Sequence, residues 1–189
     1  MRAKIQNTAL ALFDRDGFDN VSMQDIAREA GCSIGNLYHY FKSKDELAIQ
    51  VTVHVDNAYQ EWETLHPRAE NPALERLLDF VEFALETSAE EEVLYTAFIH
   101  GLKYPQQHTL KTYEERDYFR MLREMIEDCM EEGSIDRQLN VDDVRRELVI
   151  LHRGTLFQWR IEESRFRLRE KGRAMAEHLL KGLAPTMES

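Results

Sequence analysis

From Ser33 to Lys44 the chain reads Ser-Ile-Gly-Asn-Leu-Tyr-His-Tyr-Phe-Lys-Ser-Lys, a run dense in amide, phenol, imidazole and ammonium groups. Such groups on one short helix suit recognition of a nucleic-acid duplex: amides and hydroxyls reach base edges, while lysines and free helix N-terminal N–H groups hold phosphates. Tyr38, His39 and Tyr40 are expected on the outer surface around an inward Leu37 and Phe41. Asn36 offers a bidentate amide, Gly35 lets backbone approach the duplex, and Ile34 is limited to an apolar contact such as a thymine methyl. Ser22 and Ser33 stand where helices should begin, so each is expected to cap and to meet phosphate; Gln24 adds a further amide, and Lys42 and Lys44 are the expected phosphate contacts.

Other chemistries lack their residues. The seven histidines (His39, His54, His66, His100, His108, His152 and His178) form no HExxH or ExxH pair, and there is no Gly-rich phosphate loop or nucleophile elbow. Cys32 and Cys129 are isolated and read as small buried residues, not as a zinc site or a disulfide. No enzymatic activity, metal or cofactor is expected. A helical protein-interaction module and, behind it, a bundle enzyme are the rival readings.

The elements that must position these groups are helical. Ile5, Ala9, Leu12 and Phe13 predict a first helix ended by Gly17, and Ser22 with Asp25 resembles a capping box opening a short second helix that stops at Gly31. Ser33 then caps a third helix to Tyr40. Ser43 with Glu46 opens a long helix carrying Leu47, Val51, Val55, Ala58, Trp62 and Leu65 up to Pro67. Asn71 and Pro72 start a fifth helix, Val93 to Leu102 form a sixth behind the acidic run Glu90–Glu92, and a seventh runs from about Gln107 to Glu132. Asn140 begins an eighth helix, and a last one carries Met175 to Leu183. The expectation is an all-α chain of about nine helices: an N-terminal three-helix helix-turn-helix domain over residues 1–46, and a C-terminal helical bundle over 47–189.

Charge at first argues against nucleic acid, since the formal net charge is −11. Residues 1–50, however, hold Arg2, Lys4, Arg15, Arg28, Lys42 and Lys44 against Asp14, Asp16, Asp19, Asp25, Glu29, Asp45 and Glu46, a net of −1, so the excess lies downstream. Exposed charges fade over roughly 8 Å at physiological salt, and a near-neutral head with local cations still meets phosphates. No run of about 18 apolar residues is present, and Met1 to Ile5 leads straight into an amphipathic pattern without a signal segment, so a cytoplasmic protein with no membrane partner is expected.

Two capped short helices about a glycine turn are the helix-turn-helix arrangement. In Ile26-Ala27-x-x-Ala30-Gly31, Leu37-Tyr38-x-Tyr40-Phe41 and Lys42-Ser43-Lys44-x-x-Leu47, residues 5–50 resemble the TetR family of transcription regulators. The resemblance implies DNA contacts at Tyr38 and Tyr40 and a divergent downstream domain for ligand binding and dimerisation. Ile34 departs from it, because many members carry a polar or basic residue there. The function implied is a regulator, a repressor in most such proteins, that binds a palindromic operator as a homodimer and is released by a small-molecule effector.

A head this small buries little surface, and a two-fold pair doubles its phosphate contacts. The last two helices are the expected seam, through Leu148, Thr155, Leu156 and Trp159 on one and Met175, Leu179 and Leu183 on the other. Gly154 costs about 1 kcal/mol of helix propensity, which close helix approach would offset. Large adaptable side chains of the middle helices are the expected effector contacts: Trp62, Phe83, Phe98, Tyr104, Tyr118, Met121, Met125 and Phe157.

Overall fold

Residues 1–49, 52–68, 71–90 and 116–185 are described by a computed structural model, in which every regular element is helical. The helices are α1 (Arg2–Asp16), α2 (Met23–Glu29), α3 (Ile34–Tyr40), α4 (Lys44–Ile49), α5 (Thr52–Leu65), α6 (Ala73–Glu90), α7 (Asp117–Glu132), α8 (Val141–Ile161) and α9 (Leu168–Gly182). Contacts divide the chain into two units, one containing Met1–Asn57, the other Ala58–Ala89 and the described residues from Arg116 onward. The expected sixth helix and the first part of the seventh lie outside the described residues, as do residues 50 and 51 within the long helix expected from Ser43.

In the first unit, α1 packs on α2 and α4, and α2 on α3. Ile5, Ala9, Leu12 and Phe13 from α1 meet Ile26, Ala27 and Ala30 from α2, Leu37 from α3, Phe41 and Leu47 in one buried cluster. Each such apolar side chain contributes about 1.5–3 kcal/mol on full burial. Phe13 and Phe18 close the α1 end with ring centroids 5.0 Å apart. The turn between α2 and α3 depends on Gly31, whose φ of 67° is a left-handed value that only glycine adopts without penalty.

The second unit is built on amphipathic stripes. Leu77, Leu78, Phe80, Val81, Ala84 and Leu85 of α6 are buried, as are Met121, Leu122, Met125, Ile126 and Cys129 of α7. Both α7 and α9 pack on α8, which starts at Asn140; the Asn140 side chain accepts from the backbone N–H groups of Asp142 and Asp143, as its residue type foretold. The α6 N-terminus differs from expectation, since the Ala73 N–H is taken by the Glu132 carboxylate at 2.8 Å, from the far end of α7, and not by Asn71. The acidic run expected to open the next helix begins inside this one, because α6 continues to Glu90.

Candidate nucleic-acid interface

α3 is held at both ends by local chemistry. Ser33 Oγ accepts from the Asn36 N–H at 3.2 Å. At the other end the Lys42 ammonium donates to the Tyr38 carbonyl at 3.0 Å, offsetting the negative end of the helix. The helix before it carries a complete capping box: Ser22 Oγ accepts from the Asp25 N–H, and the Asp25 carboxylate accepts from the Ser22 N–H. The Ser22 hydroxyl and backbone and the Arg28 guanidinium, in that order, hold the Asp25 carboxyl below the usual range. At Ser43 the expected box is shifted by one residue, because the Glu46 carboxylate takes the N–H of Lys42 at 2.6 Å while Ser43 Oγ accepts from the Glu46 N–H.

The outward face of α3 carries Ile34, Gly35, Tyr38 and His39, with Ile34 38% and Tyr38 45% exposed. These positions follow i, i+1, i+4 and i+5, one side of a helix whose other side buries Leu37. A Cβ added at Gly35 would meet nothing within 4 Å among the described residues, whose packing does not demand glycine there. Ser22, Gln24 and Ser33 are placed at the surface with Ser22 and Ser33 exposed, and Asn36 stands beside them on the first turn of α3. Tyr40 corrects the expectation: it is half-buried and packs against the core, because it stands three residues after Leu37 on the inward side. His39 braces it edge-on, with centroids 5.2 Å apart.

The cations sort differently from their order in sequence. Lys44 is turned into the domain: its ammonium donates to the carbonyls of Phe18 at 2.5 Å and Val21 at 2.9 Å, and lies 4.3 Å from the Phe18 ring centroid. Burial lowers its pKa, against the opposing pull of Asp19 and Asp45. Lys42 is exposed beside the end of α3. Arg2 and Lys4 were not singled out from the sequence: the Arg2 guanidinium sits 5.5 Å from the Phe41 ring centroid, and Lys4 Nζ lies 3.7 Å from where a Cβ would stand on Gly31. Their position in the first turn of α1, ahead of its apolar stripe, was the available signal. Arg15 and Arg28 are committed to Asp16 and Asp25.

In the second unit, Trp62 and Phe83 line an open cleft of about 580 Å³ whose walls bear Glu61, Asp79, Glu82, Glu86 and Arg169. Trp62 is buried and stacked on His66, with centroids 4.2 Å apart. Tyr118 is partly buried against Tyr59 and Phe80, Met121 and Met125 are sealed in the core, and Phe157 is 41% exposed. Met121 and Met125 are therefore core packing in this structure, and Phe98 and Tyr104 lie outside the described residues.

The expected seam residues also divide. Leu148, Thr155 and Leu156 are buried within the chain, and the Trp159 indole N–H, half-buried, donates to the Phe166 carbonyl at 3.1 Å. The exposed stripe of α8 is instead Ile150, Gly154, Phe157 and Ile161, with Ile150 at 64% and Ile161 at 58% exposure. Leu148 and Ile150 are two residues apart and so point about 200° apart on a helix. Met175 of α9 is exposed, and Leu179 and Leu183 are half-buried. No described helix is long and apolar enough to cross a membrane, and no group of metal-ligating side chains occurs among the described residues.

Comparison with known proteins agrees with this geometry. Residues 5–51 match the family model described as bacterial regulatory proteins, tetR family. An HTH-type transcriptional regulator of Staphylococcus aureus (strain bovine RF122 / ET3-1) is 44% identical over 50 residues, 26% of this chain and 27% of that protein, so the match spans about a quarter of the curated relatives' length. The crystal structure of the TetR family transcriptional regulator PfmR from Thermus thermophilus superposes with a TM-score of 0.63 at 26% identity, over 96% of this chain and 99% of that one. Thermus thermophilus FadR, a TetR family transcriptional repressor solved in complex with lauroyl-CoA, shares the fold at a TM-score of 0.76 and 18% identity, over 100% and 97% of the two chains. Residues 5–51 thus match the helix-turn-helix head of the tetR family of bacterial regulatory proteins, and the whole chain is similar in fold to solved TetR family regulators.

Proposed function

We propose that the protein is a DNA-binding transcriptional regulator, acting as a homodimer on a palindromic operator and released from it by a small-molecule effector. The observation that carries this reading is the outward face of α3, where Ile34, Gly35, Tyr38 and His39 stand clear of a fully formed core. Tyr38, His39, Asn36 and Gln24 supply groups for base edges, Ile34 an apolar contact, and Ser22 and Ser33 present helix N-termini to phosphate. Lys42 joins Arg2 and Lys4 as the cations that meet the backbone, while Lys44 and Tyr40 hold the reading helix in place. With so few cations, affinity falls with salt on a shallow slope and sequence-independent binding is weak.

The exposed Ile150–Gly154–Phe157–Ile161 stripe with Met175 supports the homodimer, with Gly154 allowing the helix of a second copy to approach closely. The pairing sets two α3 helices about 34–36 Å apart, one DNA turn, or a multiple of that. The effector acts by binding more tightly to the form whose head spacing mismatches the operator. Lauroyl-CoA, the ligand solved with Thermus thermophilus FadR, is the first probe for that role.

The test is selection of bound fragments from the source genome, followed by gel shifts of a recovered site at several salt concentrations. Recovery of palindromic sites and a shift that weakens with salt are expected; enrichment of no sequence and no shift at low salt would sink the reading in favour of a protein partner.

A further inference from the structure

Ser88 on α6, Tyr118 on α7 and His152 on α8 converge inside the second unit. His152 is 8% exposed, its Nε2 lies 3.1 Å from Ser88 Oγ, and its ring stands edge-on to Tyr118 with centroids 5.4 Å apart. Its other ring nitrogen, Nδ1, is buried with no hydrogen-bond partner among the described residues. Native interiors rarely leave such a group unsatisfied, and each one calls for a partner that completes it.

Protonation does not resolve the defect. Burial, reinforced by the Arg153 charge, holds the imidazole pKa down to about 4, so the ring is neutral near pH 7 and one nitrogen carries the hydrogen. The Ser88 hydroxyl donates to Nε2 in the tautomer that leaves Nδ1–H as a free donor. Arg116 and Arg153 pull the Tyr118 pKa down, against burial and Tyr59, which push it up. Burial nonetheless raises the Tyr118 pKa, keeping the phenol protonated and a donor. Next to this polar spot lies an aromatic wall, with Tyr59 and Phe80 at 5.8 and 6.0 Å from the Tyr118 ring. Tyr118 itself is only partly buried.

We infer that His152 is the polar anchor of the effector site, its Nδ1–H donating to the carboxylate of an amphiphile whose apolar body lies against Tyr118, Tyr59 and Phe80. A carboxylate accepts the orphaned hydrogen and leaves the hydrocarbon part to the aromatic wall; an ammonium head has no lone pair with which to accept it. This rests on the effector reading above and adds the chemistry of the ligand and the residue that selects it.

The full-length protein is titrated with laurate, dodecylamine and dodecanol by calorimetry, and with each in turn while the histidine ring nitrogens are followed by NMR. The His152 signals are those missing from His152→Phe, a variant that keeps a ring of similar size. Laurate is expected to bind best and to move the His152 Nδ1 resonance; His152→Phe is expected to weaken laurate roughly tenfold or more while changing dodecanol far less. Ser88→Ala, which frees the tautomer without touching the ligand, is expected to weaken laurate by a smaller factor. Preference for dodecylamine, a His152 resonance that no probe moves, or laurate affinity in His152→Phe equal to wild type would each overturn the assignment. A gel shift separates the two readings: laurate bound through His152 without release of operator removes the effector reading and leaves the site, whereas laurate that still releases operator from His152→Phe removes the site and leaves the reading.

Discussion

Gly172 on α9 sits directly on Leu85 of α6: a Cβ added at Gly172 would stand 2.0 Å from Leu85 Cδ1, a distance no real contact tolerates. Leu85 is fully buried, with little room to turn aside. Arg173, the next residue, fixes the same approach by pairing with Asp79 at 2.7 Å and with Glu75. Gly172→Ala gains about 1 kcal/mol of helix propensity and loses more to overpacking, for a net destabilisation of about 1–2 kcal/mol. Urea unfolding measures it. In Gly172→Ala/Leu85→Ala the clash is relieved, so the double variant should be less destabilised than the two single losses added together; strict additivity would mean the helices are not in contact there.

Lys44 answers a different question, whether the lysine at the start of α4 serves DNA or the fold. Its ammonium is held by the Phe18 and Val21 carbonyls and the Phe18 ring, so Lys44→Met should cost about 1–3 kcal/mol of stability by orphaning that site. Lys42→Met, whose ammonium reaches only one exposed carbonyl, should leave the melting temperature nearly unchanged and weaken operator binding. The reverse ranking in a thermal melt would show that the Lys44 contacts carry no stability.

Tyr38 and Tyr40 separate in the same way. Tyr38→Ala removes an exposed ring and should lower operator affinity roughly tenfold with no loss of stability. Tyr40→Ala removes a ring packed on the core and should lower both, the destabilisation reaching about 1–3 kcal/mol. Gel shifts paired with melts distinguish them, and equal stability of the two variants would contradict the orientation of α3.

How far the sequence reached follows from the range of the forces involved. The caps at Ser22, Ser33 and Asn140 and the turn at Gly31 are set by neighbours within a few residues, and all are found where residue type and spacing put them. The inward turn of Tyr40 was not legible because seven residues are too few to fix a helical phase, and Tyr38 and Tyr40 are chemically equivalent side chains. Lys44 bonds to carbonyls more than twenty residues upstream, a contact without a local pattern. α8 carries two apolar stripes, one through Leu148 and Thr155 and one through Ile150 and Phe157, and periodicity alone does not say which one the chain keeps for itself. The Gly172 approach is a property of α9 meeting α6 and leaves no trace in either helix alone.

His152 gives the stability a pH dependence whose sign is fixed. Its folded pKa, about 4, lies below the ordinary value of 6.5, so between these values the unfolded chain binds more protons than the folded one. The stability associated with the neutral buried ring is fully present above pH 6.5 and is lost as pH falls toward 4. At pH 5 the loss amounts to about 2 kcal/mol relative to pH 7. Denaturant midpoints of wild type and His152→Phe at both pH values isolate this group, because the carboxylates titrate alike in the two proteins. Parallel declines would place the imidazole in water.

The exposed stripe of α8 bears on assembly. Ile150, Gly154, Phe157 and Ile161 recur at i, i+4, i+7 and i+11, one face of a straight helix, and no side chain among the described residues stands within 4 Å of where a Gly154 Cβ would lie. A monomer leaving that face in water would forgo about 25 cal/mol for each Å² of apolar surface that pairing buries. Phe157→Glu places a charge in the middle of the face and should convert a dimer to monomer in sedimentation velocity, with its helical content unchanged. Leu156→Ala, one residue away and turned inward, should lower stability and leave association intact. If instead Leu156→Ala dissociates the pair and Phe157→Glu does not, the two copies meet through some other face, and the spacing of their reading helices must be derived from that one.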